Sequence, residues 1–131
     1  MTHHRHAVTA PRAPGAVGPY SHAVSSGGLL FCSGQLPIDP DSGELVAGTP
    51  GEQVTRCLHN LEAVCAAAGA SLADAVRLTV YVTDMEAFVE VNDAYGRFFP
   101  EGDPPARVAV GVAALPLGAE VEVDAIAALA D

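Results

Sequence analysis

The apolar and polar positions along this chain change period several times, and each change marks an element. Two runs towards the C-terminal end, Arg107–Val112 and Val121–Ala127, alternate with a period of two and are joined by a turn built on Pro116 and Gly118. In the first run Val108, Val110 and Val112 share a face that reads as core, which sends Arg107 the other way beside the small residues Ala109 and Gly111. In the second, Val121, Val123 and Ala125 share one face while Glu120, Glu122 and Asp124 take the opposite one. Upstream, Ser21–Ser26 and Leu29–Ser33 read as hairpin strands about a tight Gly27–Gly28 turn. Gly34, just past them, suits either the close approach of a ligand or backbone, or a simple bulge. Val76–Val82 alternates again, with Val76, Leu78, Val80 and Val82 set against Arg77, Thr79 and Tyr81.

Helical periods separate these strands. After a polar loop with an Asp41-Ser42-Gly43 turn, Thr49 stands as N-cap, Pro50 as first helical residue and Glu52 as third, the arrangement of a capping box. The helix runs to about Ala68 and stops at Gly69, burying Val54, Leu58, Leu61, Cys65 and Ala68, with Glu52 and Arg56 as an exposed pair one turn apart. Ser71 and Asp74 cap a short turn before the next strand. Thr83 or Asp84 then starts a second helix over roughly Met85–Phe99, whose apolar side is Phe88, Val91, Tyr95, Phe98 and Phe99. Asn92 sits among them, where an amide needs internal partners and clamps a loop or strand more readily than it contacts a ligand.

The order β-β-α-β-α-β-β describes an α+β fold, a mixed sheet with two helices on one face. Residues 1–13 read as a flexible tail and 14–131 as one domain. Nothing in the chain is left to cover the second face of the sheet, so its subunits are expected to pack on one another as an obligate oligomer.

Composition narrows the chemistry. With 131 residues there is room for one core, and a formal charge of −10 argues against nucleic acid or an anionic membrane as partner. All six cations are arginines, so no lysine is available for a Schiff base. No stretch approaches the roughly 18 apolar residues of a membrane span, and the expectation is a cytoplasmic protein. The three cysteines form neither a disulfide framework nor a zinc pattern and read as buried thiols; His3, His4 and His6 read as a solvated tail, not a metal site. Neither helix opens on a glycine-rich phosphate loop, so no nucleotide is expected.

Several short motifs act in combination. They are G-P-Y-S at Gly18–Ser21, S-G-Q at Ser33–Gln35, N-L-x-A-V at Asn60–Val64, A-G-A-S-L at Ala68–Leu72, V-T-D-M at Val82–Met85, V-N at Val91–Asn92, P-A-R at Pro105–Arg107 and V-E at Val121–Glu122. From about Ala13 to Ala128 the chain resembles the RidA/YjgF family of reactive-intermediate (enamine/imine) deaminases. The resemblance implies the chorismate-mutase-like YjgF fold and a homotrimer with three sites in the clefts between neighbours. It implies that Arg107 binds a substrate carboxylate, that Glu122 handles the attacking water, and that Tyr20, Ser33, Gly34 and Asn92 line or support the pocket. Val123 stands where isoleucine or methionine is usual, Ala109 where cysteine is frequent and Arg77 where lysine is common; none of these removes a group the reaction needs.

The implied substrates are 2-imino and enamino acids such as 2-iminobutanoate and 2-iminopropanoate. Such an imine is already electrophilic, so water adds at C2 and ammonia leaves, with no metal or organic cofactor required. Taken alone, Arg107 reads equally as a surface or intersubunit ion pair and Glu122 as a solvated strand carboxylate. The alternative class is therefore a non-catalytic module that binds small carboxylates, in a regulatory or chaperone-like role. Keeping both Arg107 and Glu122 favours hydrolysis, because carboxylate binding alone needs only the arginine.

Overall fold

The computed structural model describes residues 4–130. Six strands form one sheet in the order β1-β2-β3-β6-β4-β5: β1 His6–Val8, β2 Ala23–Ser26, β3 Leu29–Gln35, β4 Ala75–Val82, β5 Ala106–Gly111 and β6 Val121–Ala128. Every pairing is antiparallel except β4 with β5. Two helices, α1 Pro50–Ala67 and α2 Phe88–Gly96, cover one face, which is the architecture expected.

Local chemistry explains most boundaries. Gly27 and Gly28, at φ 60° and 78°, make the two-residue turn that pairs Ser26 with Leu29. Thr49 accepts the Glu52 N–H while Glu52 accepts the Thr49 N–H, and Pro50 follows as first helical residue. Gly69, at φ 76°, ends the helix. The core lies between the helices and the inner face of the sheet, where Val54, Leu58, Leu61 and Val64 of α1 meet Leu78 and Val80 of β4 and Val121 and Val123 of β6. Each such side chain contributes about 1.5–3 kcal/mol by leaving water.

The structure differs from the sequence reading in five places. Part of the expected N-terminal tail is ordered: His6–Val8 adds an edge strand against Ala23–Ser25, and Ala10 and Ala13 are buried. His3 lies outside the described residues. Val76 is exposed, because the β4–β6 register shifts between Ala75 and Arg77 and the inward alternation starts only at Leu78. The second helix begins as a 3-10 turn, Met85–Ala87, capped by the Asp84 side chain, and its α-helical part ends at Gly96. Arg56 turns away from Glu52 and donates from Nε to Asn60 Oδ1, at 3.1 Å.

The fifth correction concerns β5. It is an edge strand, and Val108 is not core; it stands 42% exposed. Arg107 pairs with the buried Leu78 of the parallel neighbour β4, so it is Arg107 that points to the helix side. Alternation gives the right period along the strand but the opposite face inward.

Candidate functional site

The expected site residues fall into two groups. Tyr20, Ser33, Gly34 and Glu122 line one cleft of about 280 Å³, together with Pro14, Leu36 and Pro116 among others. Arg107 and Asn92 are not part of it; they meet on the helix side of the sheet.

The cleft is built around an irregularity in β3. Its pairing with β6 shifts between Cys32, opposite Ala125, and Gln35, opposite Val123, which places Ser33 and Gly34 in a bulge against the middle of β6. Ser33 is fixed twice over: its hydroxyl donates to the Ser21 carbonyl at 2.6 Å and its N–H to the His22 carbonyl at 3.0 Å. Gly34 faces Glu122 directly, and no side chain fits between them. Tyr20 is exposed at the rim, where its Oη accepts the Val17 N–H at 3.2 Å; among the described residues that hydroxyl proton has no acceptor.

Glu122 is half-buried and its carboxyl is raised above the ordinary carboxylate range, first by burial and then by the nearby Asp124 carboxylate. Asp124, two residues on along the same face, accepts a 2.8 Å bond from the Tyr81 hydroxyl; that bond is the main reason the Tyr81 phenol is pushed up. A carboxyl raised in this way holds a proton more readily than a solvated one, which suits a group that takes a proton from water and gives it up again.

Arg107 is clamped on three sides. Nη1 donates to Asn92 Oδ1 at 2.6 Å, and the guanidinium carbon lies 5.3 Å from the Phe88 ring centroid and 5.0 Å from that of Tyr95. Asn92 thus clamps a neighbouring strand's side chain, as its place in the sequence suggested. Among the described residues no carboxylate pairs with Arg107, so none of them neutralises its charge. The Tyr95 hydroxyl beneath it is buried without a partner among the described residues; burial pushes that phenol up, against the opposing effect of Arg107.

Two residues not singled out for the site hold the cleft walls. Asn60, wholly buried, donates from Nδ2 to the carbonyls of Leu36 and Ile38 at 3.1 and 2.9 Å, fixing the segment that follows β3. His22, also buried, bonds the backbone of Ala10 and Pro14. Both act across long stretches of chain; Asn60 opens the N-L-x-A-V motif, whereas for His22 only a polar residue in apolar surroundings could have served as a signal. The three cysteines are buried; burial pushes the Cys57 thiol up, and Cys32 is pushed up by its bond to Cys65 and by burial. Neither is prepared as a nucleophile.

A larger concavity, about 520 Å³, opens between the helices and is lined by Thr49, Arg56, His59, Glu90 and Arg97 among others. It contains none of the residues above, and its carboxylates are engaged structurally: Glu52 closes the helix cap and Glu90 accepts the Gly51 N–H. Convergence of polar groups with a perturbed acid marks the smaller cleft as the better candidate.

The family model described as Endoribonuclease L-PSP matches residues 10–129. Protein DfrA of Myxococcus xanthus is 48% identical over 125 residues, covering 94% of this chain and 95% of that protein. TdcF of Escherichia coli K12, provisionally named a reactive intermediate deaminase, is 42% identical over 118 residues, covering 88% of this chain and 91% of that protein. A crystal structure of E. coli TdcF with bound serine superimposes with a TM-score of 0.90 at 38% identity, covering 95% of this chain and 99% of that one. RidA of the Antarctic bacterium Psychrobacter sp. PAMC 21119 superimposes with a TM-score of 0.87 at 40% identity, covering 95% and 99%.

Proposed function

Since the chain belongs to the Endoribonuclease L-PSP family, the RidA/YjgF family of the sequence motifs, we propose that it hydrolyses 2-imino acids such as 2-iminobutanoate and 2-iminopropanoate to 2-oxo acids and ammonia. The observation that carries this reading is the division of the polar groups. One half-site holds a raised carboxyl beside a hydroxyl and a bulged glycine, and the other holds an un-neutralised arginine fixed by an amide and two rings. The two lie on opposite faces of the sheet of one subunit, so a working site joins Glu122 of one copy to Arg107 of another. A homotrimer is the arrangement we propose, with one site at each junction, and cytoplasm as its location.

In such a site Arg107 holds the substrate carboxylate in a two-pronged, charge-assisted grip and fixes C2. Glu122 accepts a proton from water as the oxygen attacks C2 and the C=N electron pair moves to nitrogen, and it delivers that proton to the nitrogen. It then takes the proton of the new hydroxyl and passes it to the amine as the C–N bond breaks and the C=O bond forms, so both water hydrogens leave with ammonia. The enamine tautomer enters after protonation at carbon. The relative TdcF supports the class of chemistry, through its name and through the amino acid bound in its crystal structure. RNA cleavage, the activity in the family model's description, is disfavoured by a charge of −10 and by the lack of any lysine.

The test generates 2-iminobutanoate in place from threonine with a pyridoxal-phosphate-dependent dehydratase and traps it with semicarbazide. Added protein is expected to suppress the semicarbazone signal in proportion to its concentration. No suppression at any concentration, with the serine-derived imine as well, would leave a carboxylate-binding module as the better account. Light scattering that finds a 13.3 kDa species at micromolar concentration would remove the trimer.

A further inference from the structure

The buried histidine behind the cleft has two ring nitrogens with opposite demands. Nδ1 lies 2.9 Å from the Ala10 nitrogen and Nε2 lies 2.8 Å from the Pro14 carbonyl oxygen. A backbone N–H can only donate and a carbonyl can only accept, so Nδ1 must be bare and Nε2 must carry the proton. These bonds tie down the segment Ala10–Pro14. It runs from β1 into the cleft, where Pro14, Gly15 and Val17 form one wall and the Val17 N–H meets the Tyr20 hydroxyl. The His22 backbone also serves the opposite side, its carbonyl accepting the Ser33 N–H at 3.0 Å.

We propose that His22 is a positioning residue for the cleft, its bare Nδ1 and its Nε2–H together holding the wall that carries Tyr20. A side chain that offered Ala10 no acceptor would leave that N–H unpaired inside a buried site and loosen the wall. Among the described residues no carboxylate pairs with the ring, so the two backbone bonds alone fix it.

The catalytic part of this inference rests on the deaminase reading, so the test has two arms. Glutamine keeps both partners, since its amide oxygen accepts where Nδ1 did and its amide nitrogen donates where Nε2 did; alanine keeps neither. In the semicarbazide assay His22→Ala is expected to lose about tenfold in kcat/KM, the effect sitting in KM, and His22→Gln to recover most of that loss. In the second arm, nitrogen NMR of the wild-type ring is expected to show the Nε2–H tautomer. Compared at one pH, the Ala10 amide should exchange faster in His22→Ala than in wild type, and the difference should largely disappear in His22→Gln. An Nδ1–H ring, or Ala10 exchange equal in all three proteins, overturns the proposal whether or not the protein is a deaminase. An unchanged KM in His22→Ala with the NMR arm as expected overturns the coupling to the site. Absence of wild-type turnover refutes the functional reading and leaves the NMR arm to decide on His22.

Discussion

Gly34 is a glycine because of Glu122. A β-carbon on Gly34 would stand 2.5 Å from Glu122 Oε2, 3.0 Å from Cδ and 3.3 Å from Cγ. The obstacle is the end of a flexible side chain, not backbone, so Gly34→Ala is expected to fold and to displace the carboxylate instead. A shift of about 1 Å at a reacting group can lower turnover about 10²-fold. The expected result is that loss in the semicarbazide assay beside a melting temperature close to wild type; wild-type turnover in Gly34→Ala would remove Glu122 from the chemistry.

Glu122 is also expected to trade stability for activity. Its carboxyl is raised above the ordinary carboxylate value of 4.5 in the folded state, by burial first. A folded-state acid with a raised pKa binds its proton more tightly than the unfolded chain does. Its ionisation therefore weakens the fold as pH rises from about the unfolded value through the folded one. Glu122→Gln should melt higher than wild type at neutral pH, with the gap closing below the ordinary value of 4.5, while turnover falls by about 10²-fold. Melting curves across pH check the sign, and an equal or lower melting temperature at neutral pH contradicts it.

The opposite placement of Arg107 and Glu122 predicts complementation. Arg107→Ala and Glu122→Gln are each expected to be nearly inactive, yet mixing their subunits by unfolding and refolding together should restore activity. In randomly mixed rings about a quarter of the junctions join the intact arginine of one variant to the intact glutamate of the other. Recovery near that level supports a shared site; none, with trimers verified by light scattering, places both residues' work within one subunit.

The clamp on Arg107 predicts an order of binding strength. Calorimetric titration with 2-oxobutanoate should show affinity lost in Arg107→Ala and scarcely restored in Arg107→Lys, whose point charge cannot reproduce a planar grip. Asn92→Ala should weaken binding by about tenfold, the scale of one charge-assisted hydrogen bond. Asn92→Asp should be worse than the alanine variant, because a carboxylate 2.6 Å from Nη1 would neutralise the charge that the ligand needs. Equal affinity in Asn92→Asp and wild type would show that Arg107 does not hold the ligand.

How legible these features were depends on the distance over which each is encoded. The α1 cap lies within Thr49–Glu52, so four residues of sequence specify it. The Gly27–Gly28 hairpin is equally local. Face assignment on β5 was misread because alternation sets which residues share a side, and not which side the helices cover; on an edge strand with one paired flank, valines are no guide. The shift that exposes Val76 arises from pairing with β6, about fifty residues away. Strand β1 has only three residues and exists because Ala23–Ser25 offers it an edge. Tyr20, Ser33, Gly34 and Glu122 do converge as the motifs suggested. Asn60 opens one of those motifs, yet its partners lie up to 24 residues away, and His22, which holds the other wall, left no local mark.

The sheet order has a further consequence, for how the protein comes into being. β6 is the last strand in chain order and sits between β3 and β4, joining β1-β2-β3 to β4-β5. During synthesis the earlier strands leave the ribosome as two separate pieces, each with an inner edge of unpaired backbone groups, and no pairing available to them closes the sheet. The strand that brings Glu122 is the one that joins the halves. A nascent chain halted before Val121 would display two open β-edges and the apolar flank of α1, making it a client for chaperones, and completion of the fold and arrival of the carboxylate would be a single event.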